Sequence, residues 1–524
     1  MTGSPIAFEA EEIVRRYQAA KAIHTRWHPL WQECHDFALP ARDRFDGSQV
    51  DGQKQTDNMF DMTAAVSLQE FASRLQAGLT PTFARWSKLK PGQQIKKKLN
   101  PAAVEQVEKA LDDITEEVFA AFHRSNFDSQ IHESFLDLGI GTGSLICDAD
   151  TTDLITFTAV PLTECCLEPG PDGSISGRFR FRHMTAVEIT RQWPGAQLPE
   201  AMRMNGGILA AATTRYEVVA ATLRDWGSRD TERYVHRVIS VTHKAVMFGS
   251  DYQGQGSCPW INFRWSKAAG EVYGRGPLIL ALPDIKVVNV TVQMLLENAE
   301  LALAGIWQGE DDGILNPATI RLAPGTVFPI APGSSGLKSL EMPGRFDVAQ
   351  LILGDLRSNI KRALYDEALG PPTGTPMSAT EVSTRMADLY RRMGSAYGRL
   401  QRELVQPLIR RVIYLLRKSG RIQLPDISGE ALSIISVSPL SSAQAQEQVQ
   451  KFQMYSGIMA QTFGPDRLPL VINPGEASAW LAEQFEMPKR ILYTGDQQNQ
   501  LLQQMQAAAA AGGASGGGGG GMMQ

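Results

Sequence analysis

The chain has 524 residues, 43% of them apolar and 20% charged, which gives room for two to four domains and at least one sizeable core in an ordinary globular composition. A net charge of −5 excludes wholesale coating of nucleic acid, which needs a clear basic excess. Five cysteines, with Cys165 and Cys166 adjacent, give neither an even disulfide framework nor a Cys-x-x-Cys zinc spacing, so a reducing folding environment is expected.

The N-terminal stretch MTGSPIAFEAEEIVRRYQ lacks the basic start and apolar core of a signal peptide. Helices are predicted over 8–38 and 57–79, the first from Ile13, Tyr17, Ala20, His24, Trp27 and Trp31 at three-to-four spacing. A third follows Asn100, a cap, with Pro101 in its first turn, and the helical third ends near Leu138. From about 144 to 265 the period drops to two, in LITFTAV, GRFRFRHM, RYEVVAATL and RYVHRVISVTHKAVMFG, and a mostly antiparallel sheet region is expected.

After Gly276-Pro277 a long helix runs to about Gly305, with Ile285, Val288, Val292, Leu295 and Ala299 on one side. Its apolar run is broken by Asp284, Lys286, Asn289, Gln293, Glu297 and Glu300, so no membrane insertion is expected. A Gly- and Pro-rich insertion, 306–345, holds the strand candidates ATIRLA and TVFPI. Asp347 caps the next helix, which carries Val348, Ile352, Leu356, Ile360 and Leu364 on one stripe and is expected to stop at Leu369. Gly370 then takes the left-handed stop, and Pro371, Pro372, Thr373, Gly374, Thr375, Pro376, Met377 and Ser378 form a loop without acid, base or ligand. Ser378 and Glu381 make a capping box, flanked by the staple residues Met377 and Val382. The apolar stripe from Val382 through Leu404 predicts one long helix over 379–420, about 60 Å long, kinked at Pro407. Further helices are expected in 421–500, and the Gln-, Ala- and Gly-rich end, 501–524, is expected to be disordered.

None of the motif-like stretches carries chemistry. GIGTGSLI follows a helix and opens a strand, the reverse of a dinucleotide loop, and reads as a tight turn; no P-loop motif occurs. His24, His28 and His35 with Cys34 suit a packed amphipathic face better than a metal site, since Pro29 breaks their spacing. Arg178, Arg180 and Arg182 share one strand face, which reads as solvated, opposite Phe179 and Phe181. Glu310, Asp311 and Asp312 read as a charged turn at the tip of the insertion, a natural docking surface. The arginines of the long helix (Arg385, Arg391, Arg392, Arg399, Arg402, Arg410 and Arg411) read in part as a solvated face, and its apolar stripe predicts assembly with other copies. The expected sets of catalytic residues, cofactors and metals are therefore empty.

YGRGPLILALPDIKVVN and PMSATEVSTRMADLYRRMGSAYGRLQRELVQPLIRRVI resemble the two hallmark stretches of the head-to-tail connector, or portal, proteins of short-tailed (podovirus-type) bacteriophages. LQAGLTPTFARWSKL and HESFLDLGIGTGSL resemble that family's N-terminal region, and the likeness covers about residues 10 to 495. The resemblance implies an α+β, multidomain portal fold: a wing, 1–276, of helices and antiparallel sheet; stem helices 277–305 and 346–369 around a small β-rich clip, 306–345; a channel loop, 370–378; a long wing-to-crown helix, 379–420; and a helical crown, 421–500. It further implies a non-enzymatic ring, typically of twelve copies, at one capsid vertex of a virion assembled in the host cytoplasm. Double-stranded DNA is packaged, retained and ejected through the ring. Implied partners are the terminase large subunit, the major capsid and scaffolding proteins, and tail adaptor proteins. The clip docking surface then falls on Glu310, Asp311 and Asp312, and DNA contact on the loop 371–378 and on Lys361 and Arg362, for which the helix dipole or a neighbour's carboxylate is the equal alternative. The competing readings are another virion adaptor or scaffold protein without a DNA channel, and an enzyme.

Overall fold

The computed structural model describes residues 9–47, 52, 56–82, 84–92, 97, 99–149, 155–204, 213–227, 232–304, 307–308, 338–339, 346–366, 392–423, 432–436, 439–464 and 471–484. It is a mixed helix-and-sheet protein in two units, one of 1–374 and 392–436 and one of 375–391 and 437–524.

In the first unit the predicted opening helix is two, α1 (Ala10–Thr25) and α2 (His28–Ala38), because the chain turns at Arg26 and Trp27 and Pro29 fits the first turn of α2. Next come α3 (Thr63–Leu79), which starts six residues later than its pattern, and β1 (Ser87–Pro91). Helix α4 (Pro101–Arg124) opens as its sequence predicts: the Asn100 side chain accepts from the Ala103 N–H at 2.9 Å. Helix α5 (Phe127–Ile140) leads into β2 (Thr142–Ala149), followed by β3 (Ile155–Ala159), β4 (Cys165–Pro169) and β5 (Ile175–Thr185). Short helices α6 (Ala186–Gln192) and α7 (Glu200–Met204) precede β6 (Arg215–Arg224), β7 (Arg233–Ser240), β8 (Ala245–Gln253) and β9 (Trp260–Arg264).

The predicted antiparallel region is two sheets: a five-stranded meander β4-β5-β6-β7-β8, and a three-stranded sheet β3-β2-β9. Period-two alternation builds the first: Phe179, Val219, Ala221, Leu223 and Ile239 turn to one side, where Ile13, Tyr17 and Ala20 of α1 cover them. The arginines of β5 are engaged rather than freely solvated. Arg178 reaches Asn262 at 2.8 Å, Arg180 reaches Glu164 at 2.7 Å and Arg182 reaches Gln192 at 2.6 Å.

Two long helices follow, α8 (Pro277–Ala304) and α9 (Phe346–Ala363), and they pack on each other. Between them the chain pairs once within the described residues, β10 (Trp307–Gln308) antiparallel to β11 (Lys338–Ser339). The strand candidates of 306–345 and the residues Glu310, Asp311 and Asp312 lie outside the described residues. Helix α10 (Gly394–Leu400), a π-helical segment (Gln401–Val405) and α11 (Gln406–Lys418) run on continuously, and β12 (Leu432–Ser436) returns to pair with β1. That last pairing joins residues some 350 positions apart, which no local pattern could announce. In the second unit α12 (Pro439–Phe463) and α13 (Pro474–Gln484) pack together, with Phe452 and Trp480 5.3 Å apart.

Candidate functional site: the helix pair and its anchors

The start of α8 is set by glycine meeting glycine. The turn GIGTGS is not open to a phosphate: a Cβ on Gly141 would fall on the Gly274 carbonyl, and one on Gly276 would fall on the Gly139 carbonyl. Gly276 N–H donates to the Ile140 carbonyl at 2.7 Å, and Gly274 N–H to Thr142 Oγ1 at 2.8 Å. The stretches GIGTGS and YGRGP are therefore one joint, and the missing side chains let α8 leave directly beside the end of α5.

The segment before α3 then straps both long helices. Asn289, buried on α8, accepts from the Phe60 N–H at 2.7 Å and donates to the Asn58 carbonyl at 2.9 Å. Asp61 accepts from Arg357 of α9 at 2.9 and 2.6 Å and from the Thr63 N–H at 2.9 Å. Burial pushes the Asp61 carboxyl up, but the Thr63 hydrogen bonds and the Arg357 guanidinium outweigh it and hold the group below its ordinary range. Lys286 adds an ion pair to Glu33 at 3.1 Å. By length and composition α8 could cross a membrane over Pro277–Glu300. Its buried face and these polar ties are those of a helix packed within protein.

Helix α9 ends earlier than predicted. Its stop is Tyr365, with φ 57°, rather than Gly370, which lies outside the described residues. Tyr365 N–H bonds the Arg362 carbonyl at 3.2 Å and Asp366 N–H bonds the Lys361 carbonyl at 2.7 Å, the paired closure of a Schellman motif. Gly420 closes α11 with the same pattern and φ 73°, as glycine normally does. A tyrosine in that conformation costs roughly 1–2 kcal/mol, and here tertiary contacts hold it: Trp265 at 5.5 Å and Phe71 at 6.4 Å between ring centroids. The predicted stripe shifts accordingly, with Leu353, Ile360 and Leu364 buried and Ile352 exposed.

Lys361 and Arg362 lie in the last turn of α9, exposed and favourably placed against the helix dipole. Arg362 also lines an open cavity of about 550 Å³ with Leu280, Ala363, Tyr365 and Arg392. The loop residues Pro371 to Ser378 lie outside the described residues. Sequence reasoning missed Asp61, Asn289, Arg357, Arg74 and Tyr365; the only available signal was a buried-type polar residue, Asn289, on an apolar helix face.

Groups that could have reacted are held inert. His24 is buried, with Nε2 at 2.7 Å from the Leu162 carbonyl and Nδ1 at 2.8 Å from His28, inside a box that includes Trp31 and Tyr273. Burial pushes the Cys147 and Cys165 thiols up to about 12. Among the described residues no cluster of His, Cys, Asp and Glu has the form of a metal site.

Comparison with known proteins bears on the whole chain. The family model described as bacteriophage head to tail connecting protein matches residues 10–492. The chain is 22% identical over 516 residues to a probable portal protein of Bordetella phage BPP-1, covering 93% of this chain and 90% of the relative. It is 19% identical over 419 residues to the portal protein of Escherichia phage T7, covering 79% and 76%. Among solved structures, the neck of a native gene transfer agent particle computed with C12 symmetry aligns over 78% of this chain and 90% of that chain, at 13% identity and a TM-score of 0.33.

Proposed function

The chain belongs to the bacteriophage head to tail connecting protein family, and from that membership we propose that it is a portal, a ring at one capsid vertex through which double-stranded DNA is packaged, retained and ejected. In this reading residues 1–276 are the wing, α8 and α9 the stem, 306–345 the clip and 370–378 the channel loop, with a long helix over 379–420 leading to a crown in 421–500. The clip, with Glu310, Asp311 and Asp312, docks the terminase large subunit and later the tail adaptor proteins. The wing meets the major capsid and scaffolding proteins. Residues 371–378, with Lys361 and Arg362, meet the DNA. The ring inserts in no membrane, assembles from twelve copies in the host cytoplasm, and has no catalysis of its own.

The observation that carries the ring is an uncovered seam on α8. Leu280, Val287 and Met294 recur every seven residues with Val290 between them, and all four are exposed, Leu280 by 78% and Met294 by 57%. The opposite face, Leu278, Ala281, Leu282, Ile285 and Val288, is buried in the same chain. A seven-residue apolar repeat is the pattern of helices that cross at a shallow angle, and an apolar seam this long calls for a protein partner. A closed ring needs two different complementary surfaces on each copy. The second is on α9, where Leu351 is 71% exposed beside Ile352. The seam of one copy therefore lies on α9 of the next.

Paired Val287→Glu and Met294→Glu substitutions test this. Purified wild-type chain is expected to sediment and image as rings with a central hole, and the double variant as folded single copies with unchanged helical circular dichroism. Rings from the double variant would refute the seam, and a compact wild-type monomer would refute the portal reading itself.

A further inference from the structure

The seam on α8 is longer than the surface α9 offers to it. From Leu280 to Met294 it runs about 21 Å. Among the described side chains of α9 the exposed apolar ones are Leu351 and Ile352, adjacent in one turn, and beyond them the exposed face is Gly354, Asp355, Ser358 and Asn359. Valines pressed on that stretch would strip water from Asp355 and its neighbours without answering them. Val287 and Val290 therefore need an apolar surface that α9 does not supply.

Such a surface stands beside α9, at the start of α3. Met62 is 61% exposed and Val66 55%, one turn apart on the same helix, where the Val66 N–H donates to the Met62 carbonyl at 3.0 Å. Three ties lay α3 along the second half of α9: Asp61 accepts from Arg357, Ser67 donates to Asp366 Oδ2 at 2.9 Å, and Arg74 donates to the Tyr365 carbonyl at 2.8 Å. The same contacts set the levels of the antiparallel pair. Leu280 shares a cavity with Ala363 and Tyr365, and the strap at Phe60 and Asp61 puts Asn289 level with Arg357. Met294 lies about 7.5 Å past Asn289, and Ile352 lies about 7.5 Å before Arg357 in the antiparallel helix, so these two are level as well. A rotation about a ring axis keeps every residue at its own height. For helices lying along that axis, the levels within one copy are also the levels between copies.

We propose that the surface receiving the α8 seam of the next copy is built from two helices, Leu351 and Ile352 of α9 opposite Met294, and Met62 and Val66 of α3 opposite Val287 and Val290. The proposal rests on the ring reading above and deepens it. The strap that fastens α8 and α9 within one copy thereby also presents the apolar step that meets its neighbour, so folding of the strap and closure of the ring are coupled.

The test is disulfide trapping between copies. Cys34, Cys147, Cys165 and Cys166 are buried, so a Cys258→Ser full-length chain serves as background. Two singly substituted chains carrying tags of different length are assembled together, so that a linked band of mixed size can arise only between copies, and rings are confirmed by imaging under reducing conditions before oxidation. Val290→Cys with Met62→Cys and Met294→Cys with Leu351→Cys are expected to link. Met294→Cys with Met62→Cys, whose levels differ by about 7.5 Å, should link at least tenfold more slowly. Linking of Met294 to Leu351 without Val290 to Met62 overturns the share of α3 and leaves the seam standing. Rings in which neither pair links overturn the seam itself, and Met62→Cys linking to Leu351→Cys instead would put α3 on the donor side. Met62→Ser with Val66→Ser supplies a second measurement: the chain concentration needed for rings should rise about tenfold with unchanged circular dichroism, and an unchanged concentration overturns the proposal.

Discussion

His24, His35 and His236 are each held neutral by burial, which pushes them down to about 4. Asp137 is shifted the other way, up to about 6, because burial outweighs the Arg42 guanidinium beside it. Two of these groups are linked, since the Leu162 peptide accepts from His24 and donates to Asp137. A histidine whose folded pKa lies below its unfolded one stabilises fully above the unfolded value, near 6.5, and loses that contribution as pH falls toward the folded value. A carboxyl raised to about 6 behaves oppositely, its unfavourable charge disappearing as pH falls through 6. Three histidines outweigh one aspartate, so stability should be level above pH 7 and fall on the order of 2 kcal/mol per pH unit near pH 5. Denaturant midpoints taken between pH 7 and pH 4.5 check the slope, and Asp137→Asn should steepen it. Midpoints that stay level down to pH 5 would refute the assignment.

At the scale of elements, Pro407 shows what a sequence pattern can and cannot specify. The apolar stripe through Leu404 and the proline after it predict a kinked long helix, and the described part of that span is helical on both sides of Pro407. The form of the disturbance was not legible: Pro407 lacks an N–H and its ring crowds the carbonyl of Glu403, and the chain answers with a π-helical segment, Gln401–Val405, directly before it. Within that segment Glu403 accepts from Nε and Nη2 of Arg264, at 3.0 and 2.6 Å, and from the Arg264 backbone N–H at 3.0 Å. Arg264 is 6% exposed, so Glu403→Gln leaves a buried charge half-answered and should cost about 3 kcal/mol in a denaturation experiment. Replacing both residues by methionine should recover most of that, and a cost within experimental error for Glu403→Gln alone would refute the pair's weight. Arg411 carries the same lesson. Charge patterning reads it as part of a solvated face, yet it is 2% exposed and bonded to the Cys147 and Ser257 carbonyls and to Asp148. Periodicity made the helices and the meander legible because local burial sets it. The stop at Tyr365, the β1–β12 pairing and the buried arginines depend on distant partners, which a local pattern does not contain. Of the candidate site residues, Lys361 and Arg362 fall among the described residues, in a last turn of α9 that comes earlier than the stop at Leu369 read from the sequence.

At the scale of the whole molecule, net charge decides how the proposed ring treats its cargo. Each phosphate held by a lysine or arginine contributes about 0.9 to the slope of log affinity against log salt. One such contact per copy in a ring of twelve would bring that slope to roughly 11, and binding of that strength would stall DNA that has to slide. For the proposed ring, a net charge of −5 per copy favours the opposite regime, in which shape confines the duplex and few phosphates are gripped. Lys361 and Arg362 fit this regime where the C-terminal dipole of α9 competes with DNA for their charge, so that they meet the duplex without holding it. Purified rings should therefore bind duplex DNA more weakly than about 10⁻⁶ M at physiological salt, with a slope no steeper than about 3. Titration of labelled duplex at several salt concentrations measures both quantities. Tight binding with a steep slope that collapses in a Lys361→Ala, Arg362→Ala ring would mean that these residues grip phosphate in every copy, and the channel would be a clamp rather than a conduit.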